Sequence, residues 1–77
     1  MRAYVLTTVQ SGHEWELIEL LKGMEYVRRV DFTFGPYDVI VEVEAPDLHA
    51  IGKFVARTIR CAPGVIETVT CLAVERP

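Results

Sequence analysis

Apolar and polar residues follow two kinds of pattern along the chain, and the first kind predicts strands. Residues Ala3–Val9 (AYVLTTV) are rich in β-branched and aromatic types, which is typical of a strand. Similar segments predict strands at Val27–Phe34, Tyr37–Glu44 and Val65–Val74. The second and third of these are separated only by Gly35-Pro36, so we expect them to form an antiparallel hairpin.

The second pattern repeats apolar residues at helical spacing in two segments. Residues Ser11–Glu14 have the sequence of a capping box, which predicts a helix from there to about Lys22, with Gly23 as its terminator. Asp47 suits the N-cap of a second helix that ends at Pro63-Gly64. The predicted apolar stripes consist of Trp15, Leu17, Ile18, Leu20, Leu21 and Met24 in the first helix and Leu48, Ile51, Phe54, Val55 and Ile59 in the second.

The resulting order β-α-β-β-α-β predicts an α+β, ferredoxin-like fold, with a four-stranded antiparallel sheet and two helices on one face. The 77 residues form one domain, 1–77, and a chain of this size buries only about 60% of its surface on folding. Residues Ala3–Val9 carry no charge on either side of the strand. We therefore expect a second copy to cover the other sheet face, giving a homodimer of the α/β-barrel type.

Charge and cysteine content narrow the possible partners. The net charge is −3 and Arg28-Arg29 is the only adjacent basic pair, which argues against direct binding of nucleic acid. No segment resembles a signal peptide and no apolar run reaches about 18 residues, so we expect a soluble cytoplasmic protein without membrane contact. Cys61 and Cys71 form no CxxC pair. We expect them to be small buried residues and expect no metal site.

Few residues have the pattern of an enzyme site. The chain contains neither a Gly-rich phosphate loop nor GxSxG, and it has no asparagine, which excludes an acylphosphatase-type mechanism. His13 and His49 each fall in the first turn of a predicted helix, where we expect surface or partly packed side chains rather than catalytic ones. We therefore predict no catalytic residue and no cofactor.

Three polar residues are better candidates for binding. Asp38 follows the glycine turn and precedes an apolar strand, so it either accepts hydrogen bonds from nearby backbone amides or forms one wall of a ligand site. Thr68 and Thr70 lie two positions apart on the last predicted strand and share a face. They either reflect the preference of threonine for strands or orient a small polar ligand.

The stretch GPYDVIVEVEAPDLHAIGKFVARTIRCAPGVIETVT resembles the effector domain of the Lrp/AsnC family, also called the RAM domain (regulation of amino acid metabolism). The opening AYVLTTVQSGHEWELIELLKGMEYVRRV fits the first strand, helix and second strand of that domain. The helix-turn-helix usual in the family does not precede Ala3, so we expect a stand-alone RAM protein.

The resemblance implies a dimer with packed sheets, further assembly into a higher oligomer, and an amino acid effector bound between dimers. In this sequence, the resemblance assigns Gly35, Tyr37 and Asp38 to the loop side of that site. It assigns Thr68 and Thr70 to the strand side.

The resulting hypothesis is a non-catalytic, amino-acid-sensing oligomerisation module that modulates transcription through full-length Lrp/AsnC-type regulators. Two alternatives remain open at this point. An ACT-like regulatory domain has the same strand order and binds its ligand near the first loop, here Gln10–Gly12. A small dimeric α/β-barrel enzyme, of monooxygenase or isomerase type, would need a histidine facing its pocket.

Overall fold

The computed structural model describes residues 1–77 and has the predicted order of elements. The strands are β1 (Arg2–Val9), β2 (Val27–Phe32), β3 (Val39–Glu44) and β4 (Val65–Leu72). Helix α1 spans Glu14–Leu21, and α2 spans Leu48–Phe54 and runs directly into a π-helical segment, Val55–Ile59. The strands form one antiparallel sheet in the order β2-β3-β1-β4, which confirms the ferredoxin-like fold.

The core lies between the two helices and one face of the sheet. Alternate residues of β1, from Ala3 to Val9, are at most 5% exposed, because their side chains all point toward the helices. The largest fully buried apolar side chains are Leu17, Leu21, Ile51, Ile59, Val5, Val39, Val41 and Val43. Thr7 is the one buried polar residue, and its hydroxyl donates to the Val39 carbonyl oxygen at 2.7 Å, so it is not left unsatisfied.

The start of α1 differs from its prediction. The predicted capping box is wrong, because His13 rather than Ser11 is the N-cap and makes no side-chain capping bond. The Glu14 carboxylate instead accepts a hydrogen bond from the Gly12 amide at 3.0 Å. The other end agrees with the sequence, since Gly23 adopts a φ of +86° just after the C-cap Lys22.

The buried stripe of α1 is narrower than the apolar pattern predicted. Leu17, Ile18 and Leu21 are buried, whereas Trp15 is 65% exposed and Leu20 is 44% exposed. A helix that packs on a sheet buries one stripe of its surface, so apolar residues beside that stripe remain in solvent.

Helix α2 begins where the sequence predicted. The Asp47 carboxylate accepts a hydrogen bond from the Ala50 amide at 2.8 Å, which confirms it as the N-cap. The helix then widens, because the Arg60 amide donates to the Val55 carbonyl five residues earlier, at 2.8 Å. No feature of the sequence had indicated this π-helical segment.

The sheet face opposite the helices carries no covering element. Its centre is apolar, with Leu6 of β1 opposite Ile40 of β3 on one side and Val69 of β4 on the other. At the end where β1 begins, Arg2 lies 3.6 Å from the Glu42 carboxylate and donates to the Tyr4 hydroxyl. The hydrogen bond to Tyr4 and the charges around it raise the pKa of Arg2 above its ordinary value. We call this surface the uncovered face.

The two cysteines are free and exposed, so the prediction that they are buried is wrong. Cys71 lies opposite Tyr4 on the edge strand β4, where one side of the strand has no neighbour. Cys61 follows the π-helical segment, and its thiol donates to the Ala56 carbonyl oxygen at 3.3 Å. No helix has the length and apolar character needed to cross a membrane.

Candidate functional site

Three loops meet at one end of the sheet because the strands are antiparallel. They are the β1–α1 loop (10–13), the β2–β3 loop (33–38) and the connection into β4 (60–64). The first and third are joined by a hydrogen bond from the Gln10 amide to the Gly64 carbonyl oxygen at 2.7 Å. Gly64 has a φ of +84°, and a Cβ there would lie 2.5 Å from the Cβ of His13. The close packing therefore requires glycine at this position.

Hydrogen bonds through its amide, its carbonyl oxygen and its carboxylate fix Asp38 at this end of the sheet. Its amide donates to the Thr7 carbonyl oxygen at 2.8 Å, and its own carbonyl oxygen accepts from the Thr33 amide at 2.9 Å. Its carboxylate Oδ2 accepts from the Val9 amide at 2.8 Å. Thus one carboxylate oxygen extends the contact of β1 with β3 beyond the start of β3. No protein group donates to the other oxygen, Oδ1, of this half-buried residue.

The other two predicted loop residues, Gly35 and Tyr37, are exposed and half-buried, respectively. Gly35 has a φ of +151° and is exposed, and no atom lies within 4 Å of the position that a Cβ would occupy. Tyr37 is half-buried, and its carbonyl oxygen accepts from the Thr33 hydroxyl at 2.8 Å. The backbone at Gly35 is therefore accessible to a ligand or a second chain.

An exposed aromatic cluster adjoins this loop. Trp15 and Phe32 pack edge to face with ring centroids 5.4 Å apart, and Phe34 is fully exposed. With Thr33, these side chains line a shallow depression of about 260 Å³. We call Trp15, Phe32 and Phe34 the aromatic edge. Exposed clusters of large apolar side chains mark interaction surfaces more often than the general surface does.

Thr68 and Thr70 lie on β4, opposite Thr7 and Val5, and therefore on the helix side of the sheet. Thr68 is half-buried and Thr70 is exposed, because β4 is an edge strand. Thr68 lines a depression of about 470 Å³ together with Arg60, Val65, Ile66 and Glu67.

Arg60 is a candidate that the sequence had not singled out. It is exposed, forms no ion pair within the chain, and lies beside Thr68. A guanidinium and a hydroxyl together suit a carboxylate group. The only sequence signal for Arg60 was its place among three basic residues of the predicted second helix, with Lys53 and Arg57. Basic residues are common at the C-terminal ends of helices, so this pattern does not indicate a binding site.

The five predicted residues do not form one cavity within a single chain. Gly35, Tyr37 and Asp38 share a loop, and Thr68 and Thr70 share a strand. Strand β1 lies between β3 and β4, so the two groups are two strand spacings apart, or about 10 Å. No depression on the surface is lined by members of both groups.

The histidines lie apart from one another. Nδ1 of His13 is 3.0 Å from the Glu16 carboxylate in the first turn of α1. His49 lines a separate cleft on α2, and its ring makes no hydrogen bond to another side chain. No group of three or more His, Cys, Asp or Glu residues is placed to hold a metal ion.

The polar groups at the loop end of the sheet are suited to binding a small charged molecule.

Comparison with solved structures shows close relatives of nearly the same length. FFRP-DM1 is 33% identical, with 95% of this chain and 97% of that chain aligned and a TM-score of 0.90. The hypothetical protein PHS023 from Pyrococcus horikoshii is 32% identical, with 97% and 90% aligned and a TM-score of 0.88. AsnC from E. coli has the same fold at 16% identity and a TM-score of 0.89, and the match covers 99% of this chain but 52% of AsnC.

The comparison with curated proteins found no match. The family model of the Lrp/AsnC ligand binding domain matches residues 2–77, which is almost the whole chain. The matched segment contains both parts of the candidate site, the β2–β3 loop and the threonines of β4. The chain therefore belongs to the Lrp/AsnC family, as a ligand-binding domain of that family.

Proposed function

We propose that the domain binds a small amino acid at a site completed by two protomers, and that binding biases the assembly of Lrp/AsnC-type oligomers. The observation that carries this proposal is the division of the candidate site into two halves. The loop half carries an anion and the β4 half carries a cation, and the two halves lie about 10 Å apart in one chain. A loop from one protomer and a β4 edge from another would bring them together.

The β4 half suits the α-carboxylate of an amino acid. Arg60 forms no ion pair, although Glu67 lines the same depression, and Thr68 lies beside Arg60. Thr70 extends the row of hydroxyls along the exposed edge. A charged guanidinium with neighbouring hydroxyls forms strong, oriented hydrogen bonds with a carboxylate.

The loop half suits the α-ammonium. Oδ2 of Asp38 is held by the Val9 amide, which orients the carboxylate and leaves Oδ1 free to accept from a ligand. Tyr37 directly precedes Asp38 in the chain, and Gly35 allows backbone to approach because it has no side chain. One structure with this fold, the regulator NMB0573 from Neisseria meningitidis, is an L-Met complex (14% identity, TM-score 0.87), in keeping with an amino acid ligand.

Two surfaces support the proposed assembly. The uncovered face offers Leu6, Ile40 and Val69 for face-to-face packing in a homodimer. The aromatic edge lies beside the β2–β3 loop and is available for contacts between dimers in a higher oligomer. A ligand that binds at such a contact shifts the population of assemblies in proportion to its preference for one of them.

The proposed route to transcription is through full-length regulators of the same family. The net charge of −3 disfavours binding to DNA phosphates by the domain itself. A full-length regulator with a matching sheet face could accept this domain in a mixed oligomer. The number of DNA-reading domains in the assembly would then depend on the effector.

The regulatory character of the family favours this proposal over an enzyme. His49, the histidine that lines a cleft, lacks the hydrogen-bonded partner that orients a general base. For an ACT-like arrangement, the Gly12 amide in the first loop is already occupied by the Glu14 carboxylate.

The direct test is a titration of the purified domain with each of the twenty amino acids. Calorimetry measures binding, and sedimentation velocity of the same mixtures measures assembly. We expect at least one amino acid to bind saturably and to change the sedimentation coefficient. Binding that leaves the assembly unchanged would reject the site between protomers. No binding by any amino acid would reject the sensing function.

A further inference from the structure

A second cleft lies along α2, and it shares no lining residue with the depression beside Thr68. It has a volume of about 360 Å³, which falls within the range of small-molecule sites. It is bounded by the segment before β2, by α2 and by the π-helical segment that continues α2, and it includes no residue of the loop that contains Asp38. The lining residues are Tyr26, Pro46, Asp47, His49, Ala50, Lys53, Phe54, Arg57 and Thr58.

The rim of this cleft carries unneutralised positive charge. Lys53 and Arg57 form no ion pair, although Arg2, Arg28 and Arg29 elsewhere on the surface are all paired with carboxylates. From residue 48 to residue 60 the sequence has no Asp or Glu, in a chain whose net charge is −3. Like charges one turn apart on a helix repel each other. A bound anion would remove this repulsion.

The floor of the cleft is aromatic. Tyr26 and Phe54 pack edge to face, with ring centroids 5.7 Å apart and planes inclined at 72°. Both are half-buried, and the Tyr26 hydroxyl makes no hydrogen bond within the protein. The one carboxylate of the cleft, that of Asp47, accepts from the Ala50 amide as the N-cap and keeps its negative charge. A ligand would therefore meet an apolar surface, a free phenol donor, two cations and, at the start of α2, one capping carboxylate.

We propose that this cleft binds a nucleotide-like anion, in which a phosphate group contacts Lys53 and Arg57 and a flat apolar body packs against Tyr26 and Phe54. Lysine and arginine are the usual phosphate-binding side chains, and aromatic rings provide stacking surfaces for bases. All of the residues proposed to bind this anion belong to one protomer. Its occupation therefore does not depend on the effector site proposed above.

The test uses ADP, pyrophosphate and adenosine as probes, with amide chemical shifts of the ¹⁵N-labelled protein at low ionic strength. We expect ADP to give saturable shifts at Tyr26 and at residues 47–58. Pyrophosphate and adenosine should each bind more weakly than ADP. Pyrophosphate can contact only Lys53 and Arg57, and adenosine can contact only the aromatic floor. Equal affinity for ADP and pyrophosphate would overturn the role of the aromatic floor, and absence of saturable shifts would overturn the site.

Variants distinguish binding of ADP at this cleft from non-specific attraction of ADP to any positively charged side chain. Lys53→Ala with Arg57→Ala should weaken ADP binding about tenfold or more, as expected for lost charge-assisted hydrogen bonds. Tyr26→Phe should weaken it less, and Lys22→Ala, an exposed unpaired lysine outside the cleft, should leave it unchanged. Equal loss in the Lys22 variant would overturn the proposal. Dissociation of oligomers in the Lys53 and Arg57 variant would show instead that this surface joins copies of the chain.

Discussion

The Asp38 carboxylate accepts a hydrogen bond from the Val9 amide at 2.8 Å, although the two residues are 29 positions apart in sequence. This contact ties the end of β1 to the start of β3 where the regular pairing of strands stops. It uses one carboxylate oxygen and leaves the other without a protein donor. The same residue is thus both a structural acceptor and a candidate ligand contact, and the two roles can be separated by mutation.

Asp38→Asn tests the ligand role, because an amide oxygen can still accept from Val9 but carries no charge. We expect the melting temperature to change little and amino acid binding to weaken by about 2–4 kcal/mol, as for a buried charge partner that is lost. Calorimetric titration and thermal unfolding of the same samples measure the two effects. Normal binding by this variant would leave Asp38 with a structural role only.

Asp38→Ala is the matched comparison, because it also removes the acceptor for the Val9 amide. We expect it to lower the free energy of unfolding by about 1–3 kcal/mol relative to Asp38→Asn. Chemical denaturation measures this difference. Equal stability of the two variants would mean that the hydrogen bond to Val9 contributes nothing measurable.

Arg60→Gln and Thr68→Val test the proposed carboxylate half of the effector site. Each is expected to weaken amino acid binding by about 1–3 kcal/mol without unfolding the protein, because the first removes the guanidinium charge and the second removes a hydroxyl from a surface depression. Arg76→Gln is the control, since Arg76 is an exposed arginine beyond β4 that forms no ion pair. If the Arg76 variant binds as weakly as the Arg60 variant, the effect reflects overall charge and not the site.

Leu6→Glu tests dimerisation through the uncovered face. Leu6 lies between Ile40 and Val69, so a carboxylate there would be buried without a partner in the dimer. We expect sedimentation velocity to show a dimer for the unmodified chain, smaller species for Leu6→Glu, and no change for Val74→Glu, which alters a 94% exposed residue. A chain that sediments at 8.7 kDa before any mutation would reject this interface.

Two glycine substitutions should change stability in opposite directions. Gly64→Ala forces a side chain into a φ of +84° and to 2.5 Å from His13, so we expect a loss of about 1–3 kcal/mol. Gly52→Ala lies in α2 with no atom within 4 Å of the new Cβ, and we expect a gain of up to about 1 kcal/mol. Chemical denaturation of both variants measures the pair. A neutral Gly64→Ala would show that the loop end of the sheet is not tightly packed.

A tagged copy of the domain should co-purify with full-length Lrp/AsnC-type regulators from its native cells, in proportions that change with added amino acids. The pure domain at physiological salt should not shift promoter DNA in a gel, because its net charge is negative. Recovery of no family regulator under any condition would reject mixed oligomers, and a specific gel shift would reject the electrostatic argument.

The order of elements and the Asp47 cap could be predicted from the sequence. These features depend on side-chain periodicity and on contacts between residues close in the chain, so they are visible without coordinates. The chain reversal before Asp38 was also predicted, but its two-residue length was wrong, because regular strand pairing ends at Phe32 and Val39 and the loop spans residues 33–38. The family resemblance also followed from the order and spacing of such local patterns.

Only the folded structure revealed which apolar residues of α1 meet the sheet, that α1 begins after His13 without a side-chain capping bond, and that the second helix widens after Phe54. It also decided the contact between Asp38 and Val9 and placed Arg60 beside Thr68. Each of these depends on how distant segments pack, and one periodic pattern is compatible with several packings. The separation of the two halves of the candidate site has the same origin, because it follows from the insertion of β1 between β3 and β4.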